Sequence, residues 1–225
     1  MMSRIESNAG QFDMLNPELH VFFRFLDIAG TVGFAAGGAM AAMRKNLDLY
    51  GVFVVAVFTA IGGGLVRDVL IGSVPPAALM HWLYLAVVSG TTFACFLLRR
   101  KIKRIERFVV FMDALGLGFF SIVGYEAAFS RGVTWYGSLF LGVVTGTFGG
   151  MIKDVLLGEI PAVLRREIYA SASMAGILVY IASNRTPLPR EVDALAAVSV
   201  VFLLRMISVK RGWNLPAVTS RKEKH

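Results

Sequence analysis

Sliding the 225-residue sequence on itself by 86 positions lays "YGVFVVAVFTAIGGGLVRDVLIGSVP" (50–75) over "YGSLFLGVVTGTFGGMIKDVLLGEIP" (136–161) without a gap, and 11 of the 26 positions are identical. Gly63, Gly64, Asp68, Gly72 and Pro75 fall on identical partners, and Arg67 falls on Lys153. The same shift sets Asp27 on Asp113, Gly30 on Gly116 and Gly38 on Gly124. Chance likeness between two apolar helices would not hold charges, glycines and a proline in register, so the chain reads as one unit used twice.

Each unit is built for lipid. Between Asp48 and Arg67 lie 18 residues without Asp, Glu, Lys or Arg, between Arg131 and Lys153 lie 21, and between Asp68 and Arg99 lie 30. A helix needs about 20 mainly apolar residues to cross the hydrocarbon core. With 56% hydrophobic residues and a mean hydropathy of +0.65, the whole chain is too apolar for a soluble domain of this length. Seven spans are expected, at 22–43, 50–66, 77–98, 108–129, 135–152, 165–183 and 191–209. The first twenty residues are polar and lack the apolar core of a cleavable signal, so the first span is expected to direct its own insertion.

Three spans per unit is an odd number, so the second copy enters the membrane from the side opposite to the first. The fold expected is an all-α membrane protein of seven transmembrane helices: two inverted three-helix repeats (22–98 and 108–185) and a C-terminal helix (190–209). A polar segment (1–21), a basic loop (99–107) and a basic tail (210–225) complete the chain. Of 23 Lys and Arg, six lie on the side of the N-terminus and seventeen on the other, including "RRKIKRIER" and the tail. By the positive-inside rule the N-terminus faces out and the C-terminus the cytoplasm, as in a prokaryotic inner (plasma) membrane. The net charge of +8 thus sits beside the spans, where anionic lipid is the partner expected rather than nucleic acid.

The glycine runs raise the functional question, because glycine weakens a helix by about 1 kcal/mol each. Glycine-interrupted spans in paired units point to a path at the repeat interface, where carbonyls freed by a break or bend of the helix face water. The same glycines could instead form a packing surface for close helix approach, and both uses stay open. Arg67 with Asp27, and Lys153 with Asp113, are expected to pair near opposite mouths, although each cation could equally be an interfacial anchor. Glu126, His81 and Glu167 keep no charged counterpart in the repeat and read as interfacial, while Pro75 and Pro161 read as starting the next helix in each unit. Soluble-enzyme templates are missing: "GGGLVRD" is no phosphate loop, His20, His81 and His225 are scattered, and the single cysteine, Cys95, forms no intrachain disulfide. No catalysis, cofactor or resident metal is expected.

The paired "GGGLVRDVLIG" and "FGGMIKDVLLG", with the aspartates of "FLDIAG" and "FMDALG", resemble the prokaryotic trimeric intracellular cation (TRIC) channels, a pattern shared with a bacterial glycine transporter domain family. The likeness covers about 22–209. It implies a homotrimer with a pore in each subunit, conducting potassium and other monovalent cations between kinked second and fifth helices. Carried over by motif, the path takes Thr59, Gly62, Gly63, Gly64, Arg67 and Asp68 from the second span, and Thr145, Thr147, Gly149, Gly150, Lys153 and Asp154 from the fifth. Phe148 stands where the second motif would have its third glycine, which implies a stiffer or narrower second half. The competing expectation is a transporter of a small glycine-like solute.

Overall fold

The computed structural model describes residues 17–100, 102, 104–165, 168–183 and 187–213. Most of the polar N-terminal segment with Arg4, as well as Lys103, Glu167, Arg185 and the tail from 214, lie outside them. Every element among the described residues is helical: α1 (Pro17–Arg44), α2 (Leu49–Leu70), α3 (Ala77–Met80), α4 (Trp82–Leu98), α5 (Ile105–Phe129), α6 (Trp135–Leu156), α7 (Ala162–Arg165), α8 (Ala170–Ser183) and α9 (Arg190–Arg211). Five of these, α1, α2, α5, α6 and α9, are long and apolar enough to cross a membrane, and α4 and α8 are shorter apolar helices of 17 and 14 residues.

The repeat is visible in how its helices start and stop. Asp48 caps α2 by accepting the Gly51 N–H at 2.7 Å, and Thr134 caps α6 by accepting that of Gly137 at 3.4 Å. Both helices end on a left-handed glycine, Gly72 (φ 71°) and Gly158 (φ 68°). The next amide turns back to the helix, from Ser73 to the Asp68 carbonyl at 2.7 Å and from Glu159 to that of Asp154 at 2.8 Å.

The expected third and sixth spans are not single helices. After the glycine turn the chain is drawn back to the motif's carboxylate: the Ala77 N–H donates to Asp68 Oδ2 at 2.9 Å, and the Ala162 N–H to Asp154 Oδ2 at 2.8 Å. That anchor ties the four-residue helices α3 and α7 to the ends of α2 and α6. His81, extended at φ −115°, then separates α3 from α4. Pro75 and Pro161 accordingly precede these turns rather than begin a span.

α1 packs on α2 and α5, and α6 packs on α2 and α5, so these four helices form the centre. α4 lies against α1 and α2, α8 against α5 and α6, and α9 against α5 and α8. The contacts are made by small residues, with Ala35, Ala39 and Ala42 of α1, Ala56 of α2 and Ala197 of α9 all fully buried. Larger side chains fill the gaps between them, as Phe34 does against Phe120 with ring centroids 5.3 Å apart. Trp82, Phe93 and Leu97 of α4 stay exposed, as suits a lipid-facing surface.

Candidate functional site

The two glycine motifs meet at the centre of the bundle. A Cβ on Gly63 would stand 2.1 Å from the Thr145 carbonyl oxygen, and one on Gly149 would stand 2.3 Å from that of Thr59. The two contacts are reciprocal, since Gly149 and Thr145 are the repeat partners of Gly63 and Thr59. α2 and α6 are helical throughout these runs, which corrects the expectation of a helix break with freed carbonyls. At Gly63 and Gly149 the packing use holds: only a glycine lets the two backbones touch. Gly64 is different, because its nearest outside atom is Arg67 Nη2 at 3.8 Å, and a Cβ on Gly62 would meet only the tip of Ile152, at 2.6 Å. A Cβ on Gly150 would meet the Tyr169 hydroxyl at 2.5 Å and Asp113 Oδ1 at 3.2 Å. Thr59, Thr145 and Thr147 are buried, and each hydroxyl donates to its own helix, to Val55, Leu141 and Val143 at 2.6, 2.6 and 2.8 Å. Their lone pairs alone remain to face an ion.

Beyond the crossing, the charges gather at opposite ends of the bundle. At the Lys153 end the expected pair is formed: Lys153 Nζ lies 3.0 Å from Asp113 Oδ1, with Asp154 Oδ1 at 3.5 Å. At the Arg67 end it is not. Arg67 donates through Nε to Asp68 Oδ1 at 2.9 Å, with Nη2 at 2.8 Å from the same oxygen, and Asp27 instead accepts the Tyr84 hydroxyl. Adjacent residues on a helix do not ordinarily face each other, but the long guanidinium curls back to its neighbour, and Tyr84 of α4 reaches Asp27 first. These groups are far from hydrated, since the side chains of both ion pairs are 9% exposed or less at Arg67, Asp68, Lys153 and Asp113.

A cavity opens at each end. The smaller, about 310 Å³, is lined by Arg24 and Asp27 of α1, Arg67 of α2, Tyr84 of α4 and Glu126 of α5, with His20 and His81. The larger, about 1330 Å³, holds Asp113, Lys153 and Asp154, with Arg44, Glu106 and Glu159 among its other charges. In the connection after α6, Glu159 lies 2.9 Å from Lys45 and 3.1 Å from Arg44. The Lys45 hydrogen bond, with Arg44 beside it, holds the Glu159 carboxyl below its ordinary value. Arg205 of α9 also lines this cavity; it is buried, with its guanidinium 4.7 Å over the Tyr169 ring.

Three groups escaped the sequence, Glu126 and Tyr169 buried and Tyr84 half-buried. Glu126, read as interfacial, is buried and accepts the Tyr180 hydroxyl of α8 at 2.6 Å. Tyr84 and Tyr169 had a usable signal: the first copy carries Pro75–Pro76 where the second has only Pro161, so beyond the prolines the offset falls to 85 and sets Tyr84 on Tyr169. The Ala77 and Ala162 hydrogen bonds obey the same shortened offset.

Residues 24–100 and 110–185 match the family described as Glycine transporter. These segments begin at the same 86-position offset as the repeat. The UPF0126 inner membrane protein YadS of Escherichia coli K12 is 34% identical over 194 residues, covering 85% of this chain and 94% of that protein. The TRIC trimeric intracellular cation channel orthologue of Rhodobacter sphaeroides superposes with a TM-score of 0.80 at 32% identity, over 85% of this chain and 98% of its own. The chain belongs to the prokaryotic TRIC family. A prokaryotic TRIC channel solved in 0.5 M KCl matches at a TM-score of 0.81 and 31% identity, over 87% of this chain and all of that one. The family fold is therefore that of this chain: an all-helical membrane protein whose paired motifs cross at the centre.

Proposed function

We propose that the chain is a potassium-permeable monovalent cation channel of the prokaryotic inner membrane, with seven crossing helices arranged as two inverted three-helix units and α9. The observation that carries this reading is the pair of charged cavities at opposite ends of the bundle, separated by the reciprocal glycine crossing of α2 and α6. Ions pass from one cavity to the other beside that crossing, along Thr59, Gly62, Gly64, Arg67 and Asp68 on α2 and Thr145, Thr147, Gly150, Lys153 and Asp154 on α6. Gly63 and Gly149 hold the helices together, so conduction requires the crossing to loosen. Asp27 and Asp113 tune the field at each mouth. Three subunits assemble, each with its own path; the N-terminus faces out, and the basic 99–107 loop and 210–225 tail meet anionic lipid inside.

Recording from the purified protein in planar bilayers under a potassium chloride gradient tests this. A reversal potential on the cation side is the expected result; silence, or an anion-selective reversal, refutes it. A second reading, a small-solute transporter, draws support from the family description and from the mixed charge of the smaller cavity.

A further inference from the structure

The turn after α6 carries charges that the turn itself does not need. Its backbone is fixed by the same bonds in both halves: the Glu159 and Ala162 amides bind Asp154 as the Ser73 and Ala77 amides bind Asp68. Under the 86-position offset Arg44 and Glu159 fall on Ser130 and Ser73. Both serines are uncharged, so the Arg44–Glu159 ion pair has no counterpart at the Arg67 end. A tie found in one copy, across a turn that the other copy makes without it, is not what makes the turn fold.

The tie crosses a mouth. Gly158, Glu159 and Ile160 of the α6–α7 connection line the larger cavity on one side, and Arg44 of α1 and Glu106 of α5 line it on others. Glu159 Oε1 lies 3.1 Å from Arg44 Nη2 and 2.9 Å from Lys45 Nζ, while Arg44 Nη1 reaches Glu106 at 3.2 Å. Three elements are thus joined around one opening. These four side chains are 37 to 79% exposed, whereas those of Lys153, Asp113 and Asp154 in the same cavity are 11% exposed or less. The tie therefore lies at the rim, with the motif charges beneath it. Exposed pairs are individually weak and screened by salt, which suits a contact that opens and closes rather than one that holds the fold.

We infer that residues 157–161 form a strap across the Lys153 mouth, closed by Glu159 on Arg44 and Lys45, and that breaking this tie opens the cavity to cations from solution. Its effect on current rests on the channel reading; the strap itself is read by access alone.

Access is measured on the full-length protein in lipid nanodiscs, in a Cys95→Ala background with Val110→Cys as the reporter, a cavity-lining position one turn from Asp113. Neutralising a charge also changes the local field, so each variant is probed with the reagent that a field effect would slow. Glu159→Gln removes an acid, which by field alone slows a cationic methanethiosulfonate; release of the strap instead speeds it, by about threefold or more. Arg44→Gln with an anionic methanethiosulfonate is the mirror test, and the same acceleration is expected. Uncharged N-ethylmaleimide gives a third measurement, on the parent. Raising potassium chloride from about 0.1 to about 1 M shortens the Debye length from ~10 to ~3 Å and should speed labelling, but not in the Glu159→Gln background. Slowed or unchanged labelling in both variants overturns the inference, as does a parent rate indifferent to salt. Thermal midpoints separate strap release from unfolding, and the salt response of the parent stands as the test if a variant fails to fold. In bilayers the Glu159→Gln protein should open more often. Unchanged access with cation current intact refutes the strap and leaves the channel, whereas faster access in a silent protein refutes the channel and leaves the strap.

Discussion

Gly63 and Gly64 are neighbours in one helix, yet alanine should act on them in opposite directions. At Gly63 the new Cβ would lie 2.1 Å from the Thr145 carbonyl oxygen and 3.1 Å from its carbon. Both belong to backbone that cannot swing aside, so α2 and α6 must separate. Overpacking a core costs about 1–3 kcal/mol, and a backbone obstacle places this site at the upper end, near 3 kcal/mol. Alanine returns about 1 kcal/mol of helix propensity, leaving a net loss of about 2 kcal/mol. At Gly64, where the nearest outside atom is the Arg67 Nη2 tip at 3.8 Å, only the gain of about 1 kcal/mol remains. The two variants should therefore differ by about 3 kcal/mol, roughly a hundredfold in the folding equilibrium. Unfolding in mixed detergent micelles, followed by circular dichroism with the wild type as reference, measures both. Equal stabilities would mean that the crossing opens without cost and would refute the packing role. A Gly64→Ala protein that is stable but silent in bilayers would restore the hinge reading for that glycine alone.

Lys153→Met should cost about 3 kcal/mol, because it leaves Asp113 buried without its cation, and adding Asp113→Asn should recover part of the loss; thermal midpoints of single and double variants check this. Glu159 has a folded pKa depressed below 4.5, so its contribution is complete above that value and is lost as pH falls through the folded pKa. With its side chain 37% exposed, the effect should stay below about 1 kcal/mol and vanish in high salt, as a pH titration of stability with and without Glu159→Gln would reveal. Arg67→Gln and Lys153→Gln should rectify current in opposite senses in symmetric potassium chloride, since they alter opposite mouths; two linear curves like the wild type's would mean that these charges only hold helices. Lys103→Cys in a Cys95→Ala background should resist an impermeant thiol reagent in intact cells, and ready labelling there would reverse the proposed orientation.

What the sequence made legible was whatever a single helix decides for itself. The long charge-free runs set α2 and α6 within a few residues, and the Asp48 and Thr134 caps and the Gly72 and Gly158 stops are written locally. What stayed hidden was decided between helices. The hydropathy of 77–98 runs on without interruption, yet the Asp68 carboxylate claims the Ala77 amide and divides the stretch. Glu126 looks like a helix-end acid until α8 brings Tyr180 against it from 54 residues away. The break expected at Gly62–Gly64 failed for the same reason: three glycines read alone mean flexibility, but against Thr145 one of them means contact.

The two halves share a motif but differ in the pairs it makes, and the cation and its surroundings together account for the difference. In the first half Tyr84 bonds Asp27 and Arg67 falls to Asp68; in the second Lys153 takes Asp113, and the buried Tyr169 hydroxyl, which stands near Asp113, meets no hydrogen-bond geometry among the described residues. Part of it lies in the cation itself, a guanidinium long enough to fold back on Asp68 at Arg67 and an ammonium at Lys153. α9 adds a second difference. It packs against α5 and α8 and carries Arg205, whose guanidinium covers the Tyr169 ring at 4.7 Å, and no helix among the described residues stands in that relation to Tyr84. A cation over the ring's face is an attraction of about 2 kcal/mol when desolvated, enough to hold Tyr169 in place while Asp113 is left to Lys153. The helix added outside the repeat thus deepens a difference between the two ends that the exchange of Arg67 for Lys153 already begins.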